Sequence, residues 1–126
     1  MLIADAHEDV AWNALALGRD VLRSALETRR MEEGTDIPQR NGLCMVGLPE
    51  WLAGGVAVVF GTLFAAPASQ SFPEPHTYTT SEEAYALGQA QLDFYHRLAD
   101  ESNRITLIGK RTQLDDVLTS WEGETP

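Results

Sequence analysis

Nine consecutive residues constrain this chain more than any others: Val56-Ala57-Val58-Val59-Phe60-Gly61-Thr62-Leu63-Phe64. The run is apolar at nearly every position, so a strand built from it is apolar on both faces. A strand with one face in water alternates; one without alternation suits a parallel sheet covered on each side. Gly61 lets a neighbouring backbone or ligand come close, or marks a bend.

Helical patterns flank this strand. Upstream, Pro49 suits the first turn of a short helix and Gly54-Gly55 its end. Downstream, Thr80-Ser81-Glu82-Glu83 is a capping box, with Thr80 as N-cap and Glu83 returning to its amide. The helix it opens runs to about Glu101, with Ala84, Leu87, Gln91, Phe94 and Leu98 along one face, supported by Ala90 and Tyr95. His96 lies on its flank without an assigned role. Arg104-Ile105-Thr106-Leu107-Ile108-Gly109 reads as a third short strand. Thr112 with Asp115 opens a last helix, apolar at Leu114, Val117 and Leu118, before an exit loop from Trp121 to Pro126.

Nearer the N-terminus, 20–27 reads as a helix with Val21, Leu22, Ala25 and Leu26 inward and Arg19, Arg23, Glu27 and Arg30 outward. From Arg29 to Gly47 the composition turns polar, with Gly34, Pro38, Asn41 and Gly42 as breakers. That stretch is either an excursion over the mouth of the sheet or a disordered insertion. Strands alternating with helices predict parallel pairing and an α/β fold.

The chemistry sits in the opening stretch, Met1-Leu2-Ile3-Ala4-Asp5-Ala6-His7-Glu8-Asp9-Val10. As a strand it places Ile3, Asp5, His7 and Asp9 on one face. Burying two carboxylates and an imidazole together is costly unless a metal, a proton or a partner offsets the lost hydration. Imidazole and carboxylate are ordinary ligands of zinc and similar ions, and His7 and Asp9 can converge on one ion. The plainer alternative is a wet strand end making ordinary hydrogen bonds. A bare His-x-Asp triplet does not separate the two.

The stretch 3–9, with Trp12 behind it, resembles the opening of the membrane (renal-type) dipeptidases of the amidohydrolase superfamily. Their first strand typically ends in Asp-Gly-His-Asn-Asp. Leu48-Pro49-Glu50-Trp51-Leu52-Ala53-Gly54-Gly55-Val56 resembles that family's approach to its second strand. Ala6 and Glu8 stand where Gly and Asn are common, which removes no ligand but adds a charge. The resemblance implies a (β/α)8 barrel with a two-metal centre at the C-terminal ends of its strands. It also implies that His7 and Asp9 ligate one divalent ion, zinc in the first instance, and it makes Trp12 a candidate for contact with a small peptide or amide substrate.

A complete barrel takes about 250 residues, and this sequence has 126. Positions 1–126 are therefore expected to be a single N-terminal portion holding the first three βα units. The bridging Glu and later His pair of the resembling family would lie past Pro126. The expected function is the N-terminal segment of a zinc-dependent dipeptidase or amidohydrolase, inactive alone. The alternative is a non-enzymatic, self-associating α/β module derived from that family. Either way the exposed sheet predicts a homo-oligomer, or association with the missing C-terminal part.

A formal net charge of −10 argues against nucleic acid and against anionic membranes. The lone Cys44 cannot form an internal disulfide, which fits a cytoplasmic location. Asp5 interrupts any leader-like apolar run, and 51–66 is too short and Gly-rich to span a bilayer. His76 reads as a solvated loop side chain at the rim, and Trp51 and Trp121 as packing residues. No nucleophile elbow, phosphate loop or cysteine pair is present.

Overall fold

A computed structural model of the chain describes residues 1–68 and 76–122. Positions 69–75, and positions 123–126 of the exit loop, lie outside the described residues. The chain runs β1 (Ile3–Glu8), α1 (Val10–Leu17), α2 (Ala25–Met31), α3 (Ile37–Asn41), α4 (Leu48–Gly54), β2 (Val56–Gly61), β3 (Ala66–Pro67), β4 (Thr77–Tyr78), α5 (Ser81–Glu101) and α6 (Arg111–Ser120). Among the described residues the strands form two parallel pairs, β1 with β2 and β3 with β4. The fold is mixed α/β with parallel strands, and no described helix is long and apolar enough to cross a membrane.

β1 and β2 pair from Ile3 opposite Val56 to Glu8 opposite Gly61, with register irregularities between Ile3 and Ala4 and between Asp5 and Glu8. β2 stops at Gly61, three residues before the apolar run ends, because β1 supplies no partner beyond Glu8. The backbone at Phe64 instead pairs with the buried Gln91 amide of α5, whose Oε1 accepts from the Phe64 N–H at 2.8 Å and whose Nε2 donates to the Phe64 carbonyl. The small core gathers Val10, Val21 and Leu98, with Leu22, Val46, Trp51, Phe94, Tyr95 and Ile105 packed on it.

α5 follows the sequence closely. Thr80 and Glu83 form the capping box, and Gln91 and Leu98 are buried. Ala90, expected to support that face, is exposed. Gly55 ends α4 at φ 75°, and a Cβ there would stand 2.8 Å from the Met1 carbonyl oxygen. Only glycine accepts both conditions cheaply.

Several expectations are corrected. Residues 104–109 form no strand; a strand needs a hydrogen-bonded neighbour, and this run joins no ladder among the described residues. The helix expected at 20–27 begins at Ala25, because Ser24 caps it by accepting from the Leu26 N–H. Glu50 fixes that start, accepting from the Ser24 hydroxyl at 2.6 Å and the Ala25 N–H at 3.1 Å. These two donors hold its carboxyl below the ordinary range. Leu26 therefore faces out, 58% exposed. α6 opens at Arg111 rather than Thr112.

Arg19, expected outside, has only 10% of its side chain exposed. Its guanidinium donates to both Glu32 oxygens at 2.7 and 3.0 Å, to Asn13 Oδ1 at 3.0 Å and to the Gly42 carbonyl at 2.7 Å. This bidentate pair and the bond to Gly42 tie the 29–47 stretch, which carries α3 and the buried Cys44, to the segment that follows α1. The breakers of this lobe shape its turns rather than leaving it loose.

The strand faces are more open than the apolar pattern of β2 requires. Phe60 is 61% exposed and Leu63 53%, and Ile3, Phe64, Leu107 and Ile108 are also exposed. The accessible surface is 8413 Å², against about 6700 Å² for a typical folded monomer of 13.9 kDa.

Breaking a buried ion pair from one side leaves an uncompensated charge. Arg19→Met is therefore expected to cost about 3–5 kcal/mol in urea unfolding. Arg19→Met with Glu32→Leu should recover most of that loss. A single-variant loss below about 1 kcal/mol, the ordinary value of an exposed pair, would show that the lobe is held by something else.

Candidate metal site

The site forms where β1 ends and α1 begins. β1 stops at Glu8, and Asp9 occupies the N-cap position of α1. An Asp at that position ordinarily accepts a hydrogen bond from the first turn of its helix. Here it makes no such bond. Its carboxylate turns instead to His7, whose Nε2 lies 3.5 Å from Asp9 Oδ1, and it accepts a short hydrogen bond from the Thr62 hydroxyl at the exit of β2. The pair lies where the ladder is irregular, between Asp5 and Glu8, and where the chain turns into α1.

The separation suits shared coordination. Two ligand atoms bound at about 2.0–2.1 Å to one tetrahedral ion stand about 3.3 Å apart. His7 is open to solvent with 70% of its side chain exposed, and Asp9 is 31% exposed. The donor pair thus fits an ion as two of its ligands. Among the described residues no group of three or more His, Cys, Asp or Glu side chains is arranged to hold one. Asp5 turns back on its own chain, accepting from the His7 N–H at 3.1 Å.

Glu8 is one of the two residues, with Ala6, by which this stretch departs from the resembling family, and it is coupled to the charges beside it. It lines a cleft of about 210 Å³ with Val10, Asn13, Arg19, Cys44 and Val46. Burial first, then the charge and hydrogen bond of Asp5 and the charge of Asp9, push its carboxyl up to about 7, with His7 opposing.

Trp12 stands one turn into α1 and packs edge-on against Phe64, ring centroids 5.9 Å apart. Its indole N–H is buried without a hydrogen-bond partner among the described residues. His76 is exposed with φ 57°, and His96 is exposed on α5; neither joins the pair.

Two residues that sequence reading gave no role in the site complete it. Thr62 was an unremarked member of the apolar run, and Tyr95 a supporting apolar residue of α5. The Tyr95 hydroxyl donates to the Thr62 carbonyl at 3.0 Å and accepts from the Ala11 N–H at 3.3 Å. Gly61 admits its ring, since a Cβ there would meet Tyr95 ring carbons and oxygen at 2.8–2.9 Å. Burial pushes the phenol up from its ordinary value, so it remains an O–H donor. No local pattern marks either contact, which joins positions 33 and 84 residues apart.

Comparison with protein-family models, curated proteins and solved structures found no match to the chain.

Glu8 generates a pH prediction. Its carboxyl titrates near 7 in the folded chain and near 4.5 when unfolded. Folding then favours its protonated form, so the contribution of Glu8 to stability falls as pH rises between those values and levels off above them. At fixed chain concentration, Glu8→Gln should flatten the decline of the urea midpoint from pH 5 to pH 7.5. An unchanged slope would mean Glu8 is solvated like any surface carboxylate.

Proposed function

We propose that this chain is the N-terminal portion of a metal-dependent hydrolase of the dipeptidase type, carrying the opening of a (β/α)8 barrel and one half of a metal site. One observation carries the reading: a histidine and an aspartate meet at 3.5 Å at the C-terminal end of a strand in a parallel sheet. That end of the strands is where barrel enzymes place their chemistry. The resemblance of 3–9 and 48–56 to the membrane dipeptidases supports the same class.

The role of this chain is to hold and orient. His7 offers Nε2 and Asp9 offers Oδ1 to a divalent ion, zinc in the first instance. The chemistry that bound zinc supplies in such sites is a hydroxide available near neutral pH and a polarised scissile carbonyl. Trp12 is the nearest large aromatic on α1 and a candidate wall for a small peptide or amide. The bridging carboxylate and remaining histidines are to be sought in polypeptide following Pro126. Reading the coding frame there tests the proposal directly: a strand ending in Glu-Gly, then two well-separated histidines, supports it, and an immediate stop codon opposes it.

Catalytic zinc sites ordinarily use three protein ligands, and the described residues group two. Purified chain with added zinc or manganese is therefore expected to show no dipeptide turnover above the metal blank in a steady-state assay. Turnover that His7→Ala abolishes would show that the site is complete within these residues.

The second reading, a self-associating module, is favoured by the exposed strand faces. The surface in excess of a typical monomer is about 1700 Å², about twice the 800 Å² or so that each partner buries in a standard protein–protein interface. Both β1 and β2 also present an edge without a ladder partner among the described residues. The 29–47 lobe is tied down by Arg19 and leaves Phe60 and Leu63 in water. Sedimentation at micromolar concentration should give a mass above that of one chain, and a sharp monomer boundary would overturn this expectation.

A further inference from the structure

We propose that Thr62 and Tyr95 are positioning residues that reserve the Asp9 carboxylate for a divalent cation; this rests on the metal reading of His7 and Asp9. The N-terminus of α1 presents two competing demands on Asp9. As the N-cap residue it has unpaired helix N–H groups within easy reach, and a carboxylate is among the best acceptors for them. A carboxylate committed to that cap is turned away from His7. The structure resolves the competition with two hydroxyls from elsewhere in the fold.

Tyr95 takes over part of the capping. Its oxygen accepts from the Ala11 N–H at 3.3 Å, one of the first-turn donors that Asp9 would ordinarily satisfy. Its own proton goes to the Thr62 carbonyl at 3.0 Å, fixing the backbone that carries the second hydroxyl. Thr62 is held from the other side as well, its N–H donating to the Glu8 carbonyl at 3.0 Å. The Thr62 hydroxyl has two acceptors in range, the Glu8 carbonyl at 3.2 Å and Asp9 Oδ1 in the short contact. A carboxylate oxygen has lone pairs for a hydrogen bond and an ion together. Thr62 can therefore hold Oδ1 beside His7 Nε2 without consuming its capacity to ligate. Gly61 makes the arrangement possible, since any larger residue there meets the Tyr95 ring.

Partners of this kind, one shell out from a metal ligand, typically change affinity 10- to 100-fold when removed. The test is a zinc titration of the full chain labelled with ¹⁵N, following the His7 ring nitrogens, with His7→Ala identifying their signals. Wild type should show saturable zinc-dependent shifts of His7. Thr62→Val, which keeps the side-chain shape and loses the hydroxyl, should weaken zinc about 10- to 100-fold. Thr62→Ser, which keeps the hydroxyl, should bind within about threefold of wild type, a rescue that a packing role would not produce. Tyr95→Phe frees the Ala11 N–H and should weaken zinc in the same direction, and it serves as the second variant if Thr62→Val does not give a native far-UV circular dichroism spectrum. Folded Thr62→Val and Tyr95→Phe chains binding zinc as tightly as wild type would overturn the positioning role while leaving the metal reading intact. Thr62→Ser weakened as much as Thr62→Val would also overturn it. A wild-type chain whose His7 signals ignore millimolar zinc would overturn the metal reading, and this inference with it.

Discussion

The architecture depends on what α5 does at the place where the β1–β2 ladder runs out. A parallel pair ends abruptly when one strand turns into a helix, and the partner then carries backbone groups with nothing to bond. Here β2 reaches that point at Gly61. Gln91 and Tyr95, one turn apart on α5, supply the missing partners through Phe64 and Thr62. The same Tyr95 reaches across to Ala11. One helix face therefore ties the exit of β2 to the start of α1, and the candidate site lies between those two tied ends. Gln91 is the telling residue, a polar side chain only 3% exposed on a face otherwise apolar. Burying an amide is unfavourable unless both of its ends are satisfied, and here both are.

The second organising interaction is the Arg19–Glu32 pair, which decides the shape of the 29–47 stretch. Polar composition and frequent breakers suggest a loose excursion. The bidentate pair, with additional bonds to Asn13 and the Gly42 carbonyl, ties it to the segment that follows α1. Phe60 and Leu63 remain open.

Legibility in the sequence followed the range of the interactions. The capping box, the glycine end of α4 and the extent of α5 depend on residues within one or two turns, and each was visible in the pattern. The parallel pairing of the two main strands was visible in the absence of alternation. The misplaced features depend on distant partners. The run 104–109 has the composition of a strand but joins neither open edge of the β1–β2 pair among the described residues. Arg19 lies on the polar side of its local stripe and is bound by a glutamate thirteen residues away. The start of α2 moved because Glu50, twenty-five residues on, bonds the Ala25 amide.

The same distinction holds within the candidate site. His7 and Asp9 announce themselves as residue types at close spacing. Their approach was expected from strand alternation, and they meet where the ladder is irregular. What brings them together is a conflict between local and global preference at one residue. Local preference makes Asp9 a cap; the tertiary structure withholds it from that role and assigns the helix N–H to a tyrosine 84 positions away. Natural folds tolerate such conflicts mainly where a side chain is wanted for something other than stability. An aspartate at a helix N-terminus that leaves the capping to a second group is free to face His7 and Thr62 instead.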